Sequence, residues 1–389
     1  MDPLAELQSP VVRQLVAANT AFGLDLYQRQ RETRGNLVFS PLSISLALAI
    51  AYAGSVGRTR SQLGAALRFD GPDDHLHPAF AALQRRLASI NAGGSVELSI
   101  VLSLWLQLGY RIRPAFTQLA EAHYGAEILD ADFAAQPDAA RARINRWVAE
   151  RTNHRIRELL PLGMIGVLTR LVIANAVCFR GAWRHPFDPD QTARDSFWIA
   201  PDTSVEVPFM AQAIETGYAE SADWQLLRLP YAGGALSMIL LLPRRHDDLS
   251  ALEASLSGPD LATWMGSAQR RQVEILLPRF KVTSGFSLKE TLISLGVADA
   301  FDQDKADFSR LSDPADPLHI SAVAHQAFIE VNEEGTEAAA ASGVVLAARS
   351  MPPPPAVFRA DRPFLFLIRD ELTGAVLFLG RLANPAGDD

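Results

Sequence analysis

The sequence predicts an α+β protein. Apolar residues recur at helical spacing through most of the first 160 positions. From residue 169 onward short β-rich runs take over, with only brief helical stretches between them. Helices mainly first and strands mainly last is the order of an α+β chain, not of alternating βαβ units.

Residues 10–32 place Val12, Leu15, Val16, Phe22 and Leu26 at helical spacing. Gly35-Asn36 breaks this helix, and Leu37–Phe39 reads as a short strand. Ser40 then supplies an N-cap oxygen. Pro41 suits the first helical position, where its missing N–H is harmless. The helix that follows is apolar nearly all round, so it is predicted to be buried, and Gly54 ends it. Further helices are predicted at 58–67, 78–90, 114–123, 138–152 and 155–160, with a long strand at Val96–Leu108. Strands follow at Leu171–Arg180, Phe197–Ile199, Val205–Phe209, Trp224–Leu229 and Leu236–Leu242. Gln272–Val282, His319–Val331, Phe364–Ile368 and Val376–Leu379 complete them, with short helices near 249–255, 259–265 and 285–295. No repeat and no linker interrupts the pattern, so residues 1–389 read as a single domain.

A chain of 389 residues with 48% hydrophobic side chains can bury a large core. Its net charge of −8 argues against a nucleic-acid partner or a membrane surface, which call for a basic excess. Lys281, Lys289 and Lys305 are the only lysines among 36 basic residues; with the heavy alanine usage this is the pattern of a GC-rich, bacterial genome. A lone cysteine, Cys178, excludes any internal disulfide. Met1–Glu6 has neither the basic start nor the apolar core of a secretory signal, so the chain is cytoplasmic or its targeting segment lies elsewhere. No glycosylation sequon occurs, and the most apolar run, Leu42–Ala53, is too short to span a bilayer.

Catalytic and cofactor motifs are missing. The sequence holds no Gly-x-Ser-x-Gly elbow, no phosphate-binding glycine loop and no His-Glu-x-x-His. No cofactor and no metal is expected. His75 and His77 fall in a Gly/Pro/Asp stretch that reads as a surface loop. Cys178, between Val177 and Phe179, reads as a buried small hydrophobe and not a nucleophile. Arg141, Arg143, Arg146, Arg151, Arg155 and Arg157 form the densest basic cluster, but with Glu150 and Glu158 nearby it reads as a solvated helix face. Arg85-Arg86 reads the same way.

One stretch stands apart. Glu333-Glu334-Gly335-Thr336-Glu337 runs into four alanines, Ala338 to Ala341, then Ser342-Gly343 and on to Arg349-Ser350, just before the prolines 352–355. Such small side chains bury little apolar area, so the segment anchors weakly, yet it could slip between two strands without a clash. An Arg near the far end of a weakly anchored loop has the form of a bait.

Six stretches together resemble the serpins: Asn36–Leu48, Asn175–Trp183, Leu229–Tyr231, Glu274–Phe280, the neighbourhood of His325, and Phe358–Phe366. The resemblance runs in order from about residue 10 to Pro385. It implies a serpin fold of about nine helices around three β-sheets, with an exposed reactive-centre loop at about 333–357. It implies a suicide inhibitor: a protease cuts the loop, forms an acyl-enzyme, and is trapped when 336–348 inserts into the large sheet. Glu333, Gly335, Thr336, Glu337, Ala338, Ala339, Ala340 and Ala341 match the hinge of inhibitory members. Family spacing from Gly335 puts the cut between Arg349 and Ser350, which implies a trypsin-like serine protease as partner. A cut at Ala348 or Leu346, for an elastase-like enzyme, stays open, as do a cysteine-protease target and a non-inhibitory binding role. Ser40, Ser43, Asn175 and His325 match the shutter group, and Trp183 the breach. The resemblance also implies a monomer in the extracellular space, against the missing signal.

The implied insertion can be tested against strand geometry. Thr336, Ala338, Ala340, Ser342, Val344 and Leu346 share one face of an extended strand, and that face carries no charge. Glu337 falls on the other face. About fifteen residues at roughly 3.3 Å each would carry the bait around 50 Å.

Overall fold

The computed structural model describes residues 3–313, 317–334 and 354–387. Helices α1 (Pro3–Leu7) and α2 (Pro10–Gln30) lead to strand β1 (Leu37–Phe39). Helices α3 (Pro41–Gly54), α4 (Gly57–Leu67) and α5 (Asp73–Ala92) follow. Then come β2 (Val96–Gln107), α6 (Pro114–Tyr124), β3 (Glu127–Ala131), α7 (Pro137–Arg151) and β4 (Leu171–Gly181). Strands β5 (Ala193–Ala200), β6 (Thr203–Glu220), β7 (Trp224–Pro230) and β8 (Leu236–Pro243) precede α8 (Leu249–Ser255) and α9 (Gly258–Ser267). The chain closes with β9 (Gln269–Pro278), β10 (Phe280–Ser287), α10 (Lys289–Ser294), β11 (Ile320–Val331), β12 (Ala356–Arg359), β13 (Phe364–Asp370) and β14 (Val376–Leu382).

The α+β order is as expected, with ten α-helices among the described residues. The three expected sheets hydrogen-bond into two networks. One has five strands in the order β10-β11-β4-β2-β3; the other has nine, with β5 off its main path. The reason is the length of β6. Its first half pairs with β5, its second half with β9, and its last four residues with β7, so what could be separate sheets share one strand.

In the five-stranded sheet β10 and β11 are antiparallel, as are β2 and β4, whereas β11 and β4 run parallel. Both faces of the sheet are covered. Leu171, Ile173, Val177 and Phe179 of β4 join the main core, which includes the apolar residues of α3. The alternate residues Val172, Ala174, Ala176 and Cys178 pack with Ile144 and Val148 of α7. Every residue of α3 is buried, and the Ser40 side chain accepts the Ser43 N–H, as the cap reading required.

Several expectations fail for local reasons. No helix forms at 155–160. There the Asn145 amide oxygen accepts the N–H groups of Leu159 and Leu160, so a side chain satisfies backbone that a helix would otherwise serve. The single strand expected at Gln272–Val282 is split. Pro278 lacks a donor, and at Arg279 the chain passes from the larger sheet into the five-stranded one. Residues 285–287 belong to β10, so the helix expected at 285–295 shrinks to α10. The loop expected at about 333–357 ends sooner, because Ala356 and Val357 pair with Val273 and Glu274 in parallel β12. His77 is not in a surface loop: α5 starts at Asp73, and His77 is buried with its Nδ1 2.6 Å from the Tyr124 hydroxyl.

Candidate functional site

The parallel pair β11–β4 is bridged from below by a buried polar cluster. His325 lies opposite Asn175 in the register, and both are fully buried. His325 Nδ1 is 2.7 Å from Asn175 Oδ1. The Ser40 N–H points at His325 Nε2 at 3.2 Å, so Nε2 must be the acceptor and Nδ1 carries the proton. Ser43 Oγ lies 3.0 Å from Oδ1 and 2.7 Å from Nδ2 of Asn175. The Asn175 amide also donates to Val101 O in β2, at 3.4 Å. Ser40, Ser43, Asn175 and His325, which the resemblance grouped, therefore come together through side-chain and backbone hydrogen bonds that link β11 and β4 to the N-terminus of α3.

Burial pushes the His325 imidazole down to about 3, because no charge partner offsets desolvation. A second proton would also put a donor at Nε2, facing the Ser40 N–H. The fold therefore holds the neutral ring, while the unfolded chain binds a proton below about 6.5. Stability from this residue is complete above that pH and falls as the pH drops toward 3, by about 1.4 kcal/mol per unit. Denaturation midpoints measured from pH 7 to 4 should show this slope. In His325→Gln the slope should fall by about one proton; an unchanged slope would mean that His325 does not titrate on unfolding.

The upper end of β11 is held by a second group. Trp183 Nε1 donates to Asn332 O at 2.9 Å, and the Trp183 N–H donates to Glu334 O at 3.3 Å. Its indole stacks on Tyr231, with centroids 4.5 Å apart and planes 10° from parallel, and meets Phe187 edge-on. Gly181 makes room for this: a Cβ there would lie 2.8 Å from the Tyr231 ring. Phe187 N–H donates to Glu333 O at 2.9 Å. Trp183 thus sits where the chain leaves the end of β11.

Of the positions expected to form a hinge, Glu333 is the one among the described residues. Its carboxylate pairs with Arg279 and accepts from Thr192 Oγ1, with its side chain almost fully buried. Burial opposes the charge, but the Arg279 and Thr192 donors outweigh it and hold the carboxyl below the usual range. Neither partner was foreseen, although Arg279 lies within the quoted Glu274–Phe280 stretch. Glu333→Gln should cost about 1–2 kcal/mol in chemical denaturation, with Arg279 half exposed and its share discounted accordingly. An Arg279→Met partner variant should then cost little more on top; full additivity would show that the two residues do not act together.

The remaining proposed positions lie outside the described residues: Gly335, Thr336, Glu337, Ala338 to Ala341, Leu346, Ala348, and the bond between Arg349 and Ser350. Chemistry elsewhere is sparse. Burial pushes the Cys178 thiol up to about 12, which suits a core residue and not a nucleophile. Three of the six arginines in the basic cluster on and just after α7 meet a carboxylate. Arg141 pairs with Glu158, Arg151 with Glu127, and Arg155 with Glu97. Arg85 pairs with Glu6, and Arg86 reaches the buried Asp370 at 2.9 Å, so neither is a free surface cation. No helix among the described residues is long and apolar enough to cross a membrane.

The described residues thus form a two-sheet α+β frame in which a buried polar cluster bridges the parallel strands β4 and β11. The family model for serpins, serine protease inhibitors, matches residues 17–385, and the chain belongs to that family. It is 39% identical to leukocyte elastase inhibitor of Sus scrofa over 96% of this chain and the whole of that protein. It is 35% identical to antithrombin-III of Mus musculus, over 96% of this chain and 82% of that one. Among solved structures, uncleaved ovalbumin is 30% identical and superposes with a TM-score of 0.87, covering 96% of this chain and all of that one. The native stressed form of Arabidopsis AtSerpin1 gives 0.88 at 32% identity, covering 97% and 99%.

Proposed function

We propose that this serpin is an irreversible suicide inhibitor of trypsin-like serine proteases, cut between Arg349 and Ser350. The protease serine Oγ forms an ester with the Arg349 carbonyl carbon. The Arg349–Ser350 peptide bond breaks, and the Ser350 nitrogen takes the serine proton. Residues 336–348 then insert as a strand between β4 and β11.

The parallel direction of β4 and β11 is the observation that carries this reading. A chain that leaves the end of β11 and turns back is antiparallel to it, and therefore antiparallel to β4 as well. Insertion replaces one parallel pairing by two antiparallel ones, which are slightly more stable per residue. The shutter cluster bridges the two strands that must part. The uncut form is then a kinetic trap, held by that cluster and by the Trp183–Glu333 group.

Relatives named leukocyte elastase inhibitor favour a second reading, with the cut at Ala348 or Leu346. Mass spectrometry of the C-terminal peptide released by trypsin and by elastase separates the two. The first reading expects a peptide beginning at Ser350 and an SDS-resistant complex with trypsin. A peptide beginning at Arg349 or Ala347, with the complex formed by elastase alone, establishes the second. Cleavage by both enzymes with no covalent complex overturns inhibition.

A further inference from the structure

Helices α5 and α6 are joined by a buried polar contact. His77, near the start of α5, lies against Tyr124, the last residue of α6, with His77 Nδ1 2.6 Å from the Tyr124 hydroxyl. Both residues are buried. A buried hydroxyl needs an acceptor, so Tyr124 donates and Nδ1 accepts, which leaves the proton of the neutral ring on Nε2. His123 stands beside Tyr124. Its ring centroid is 6.0 Å from that of His77, and its Nδ1 is buried with no hydrogen-bond partner among the described residues. Two cations stand close by. Arg60 of α4 pairs with Asp73, and Arg310, in the segment before β11, lies 3.3 Å from the same carboxylate. The Arg60 guanidinium also covers the Tyr52 ring of α3, 3.7 Å from its centroid. Helix α2 meets the start of α5 with the uncharged Val11, Gln14, Leu15 and Ala18. Helix α1 and strand β2 meet α5 further along, at Arg85 and Asn91.

A proton on His77 has no place in this arrangement. It would set an N–H at Nδ1 against the Tyr124 O–H, and one of the two donors would lose its acceptor. Burial is the main force against the charge. Asp73 favours it but is already shared by two arginines, while His123, Arg60 and Arg310 all oppose it. His77 is therefore held below its ordinary value of about 6.5 while the helices stay together. Parting the helices exposes the ring and lets it take the proton. We propose that His77, Tyr124 and His123 form an acid-released clasp between α5 and α6, which frees the β2–β3 edge of the five-stranded sheet when it opens. The edge follows because α5 packs on β2 and α6 on β3. Both strands lie on the β4 side of the seam that the proposed insertion parts, so acid lowers the sheet's resistance to opening. The closed clasp excludes the proton and the open one binds it. Closure is therefore strongest above about pH 6.5 and weakens as the pH falls, by up to about tenfold in open population per unit.

The test uses the full chain at pH 7.5 and pH 5.5, with amide exchange expressed as protection against the intrinsic rate at each pH. Segments 73–92 and 114–131 should lose protection by up to about tenfold at pH 5.5, whereas 364–382 should not. His77→Asn keeps an acceptor near the place of Nδ1 and cannot titrate, so its protection should be the same at both pH values. If that variant fails to fold, Tyr124→Phe is read in its place. It should lower protection already at pH 7.5 and shrink the acid step, because the hydrogen bond is gone and no hydroxyl faces the new N–H. An acid step of equal size in the wild type and the variant overturns the clasp. Storage at pH 5.5 should also shorten the half-life of trypsin-inhibiting capacity several-fold in the wild type and not in His77→Asn. This arm rests on the proposed function, and the exchange arm does not. Lost protection with an unchanged half-life overturns the link to the sheet. Trypsin cleavage without an SDS-resistant complex overturns the proposed function, and exchange alone then decides the clasp.

Discussion

Arg349→Glu is expected to slow complex formation with trypsin by at least about 10³-fold, which corresponds to about 4 kcal/mol. The side chain before the cut enters a pocket with an Asp at its base, and there the guanidinium is paired and stripped of water. Removing one partner from such a pair costs about 2–5 kcal/mol, and reversing its sign adds repulsion to the loss. Progress curves with trypsin give the rate, and SDS gels give the covalent product. Elastase serves as the control arm. If the cut lies at Ala348 or Leu346, the Glu variant keeps its rate with elastase, because residue 349 then follows the cut. An undiminished trypsin complex would move the reactive bond away from Arg349.

The parts of this site that could be read from sequence are those with a local rule or a motif in order. Ser40 and Pro41 obey capping rules, and the cap forms as read. Asn175 and His325 are 150 positions apart, and only family resemblance joined them; the register of β4 against β11 then places them side by side. The Glu333 latch had no such signal. Its partners come from Thr192, just before β5, and from Arg279, between β9 and β10, and no periodicity brings those loops together. The fold shows the same division. Long apolar runs such as 171–180 and 320–331 were legible because both faces are buried. Strands β3 and β12 were missed. They are five and four residues long, and each depends on a parallel partner distant in sequence or reached by a crossover. Helix α5 begins at Asp73 and not at 78 as expected, because Pro78 reads as a first-turn residue whereas Asp73 and Asp74 supply the acidic first turn.

Thr336→Arg is expected to turn the inhibitor into a substrate while leaving the first encounter with trypsin intact. After acylation two steps compete: insertion, which traps the enzyme, and hydrolysis of the ester, which frees it. Thr336 is the first residue of the uncharged face, so it enters the sheet before the protease has moved far. A guanidinium at this position must be buried against the apolar residues under β4 and β11, among them Phe179 and Val331, without a carboxylate to meet it. Each ~1.4 kcal/mol added to the insertion barrier shifts the competition tenfold toward hydrolysis. The moles of inhibitor consumed per mole of trypsin inactivated should therefore rise by more than about tenfold, with the loop still cut at the same bond. Glu337→Arg is the matched control. It places the same charge one residue on, on the face already occupied by a carboxylate, and should leave the stoichiometry nearly unchanged. Equal effects at 336 and 337 would show that period-two burial does not govern insertion, and the strand reading of 336–348 would fall. A large effect at 336 alone would mean that the face free of charge is the face that goes in.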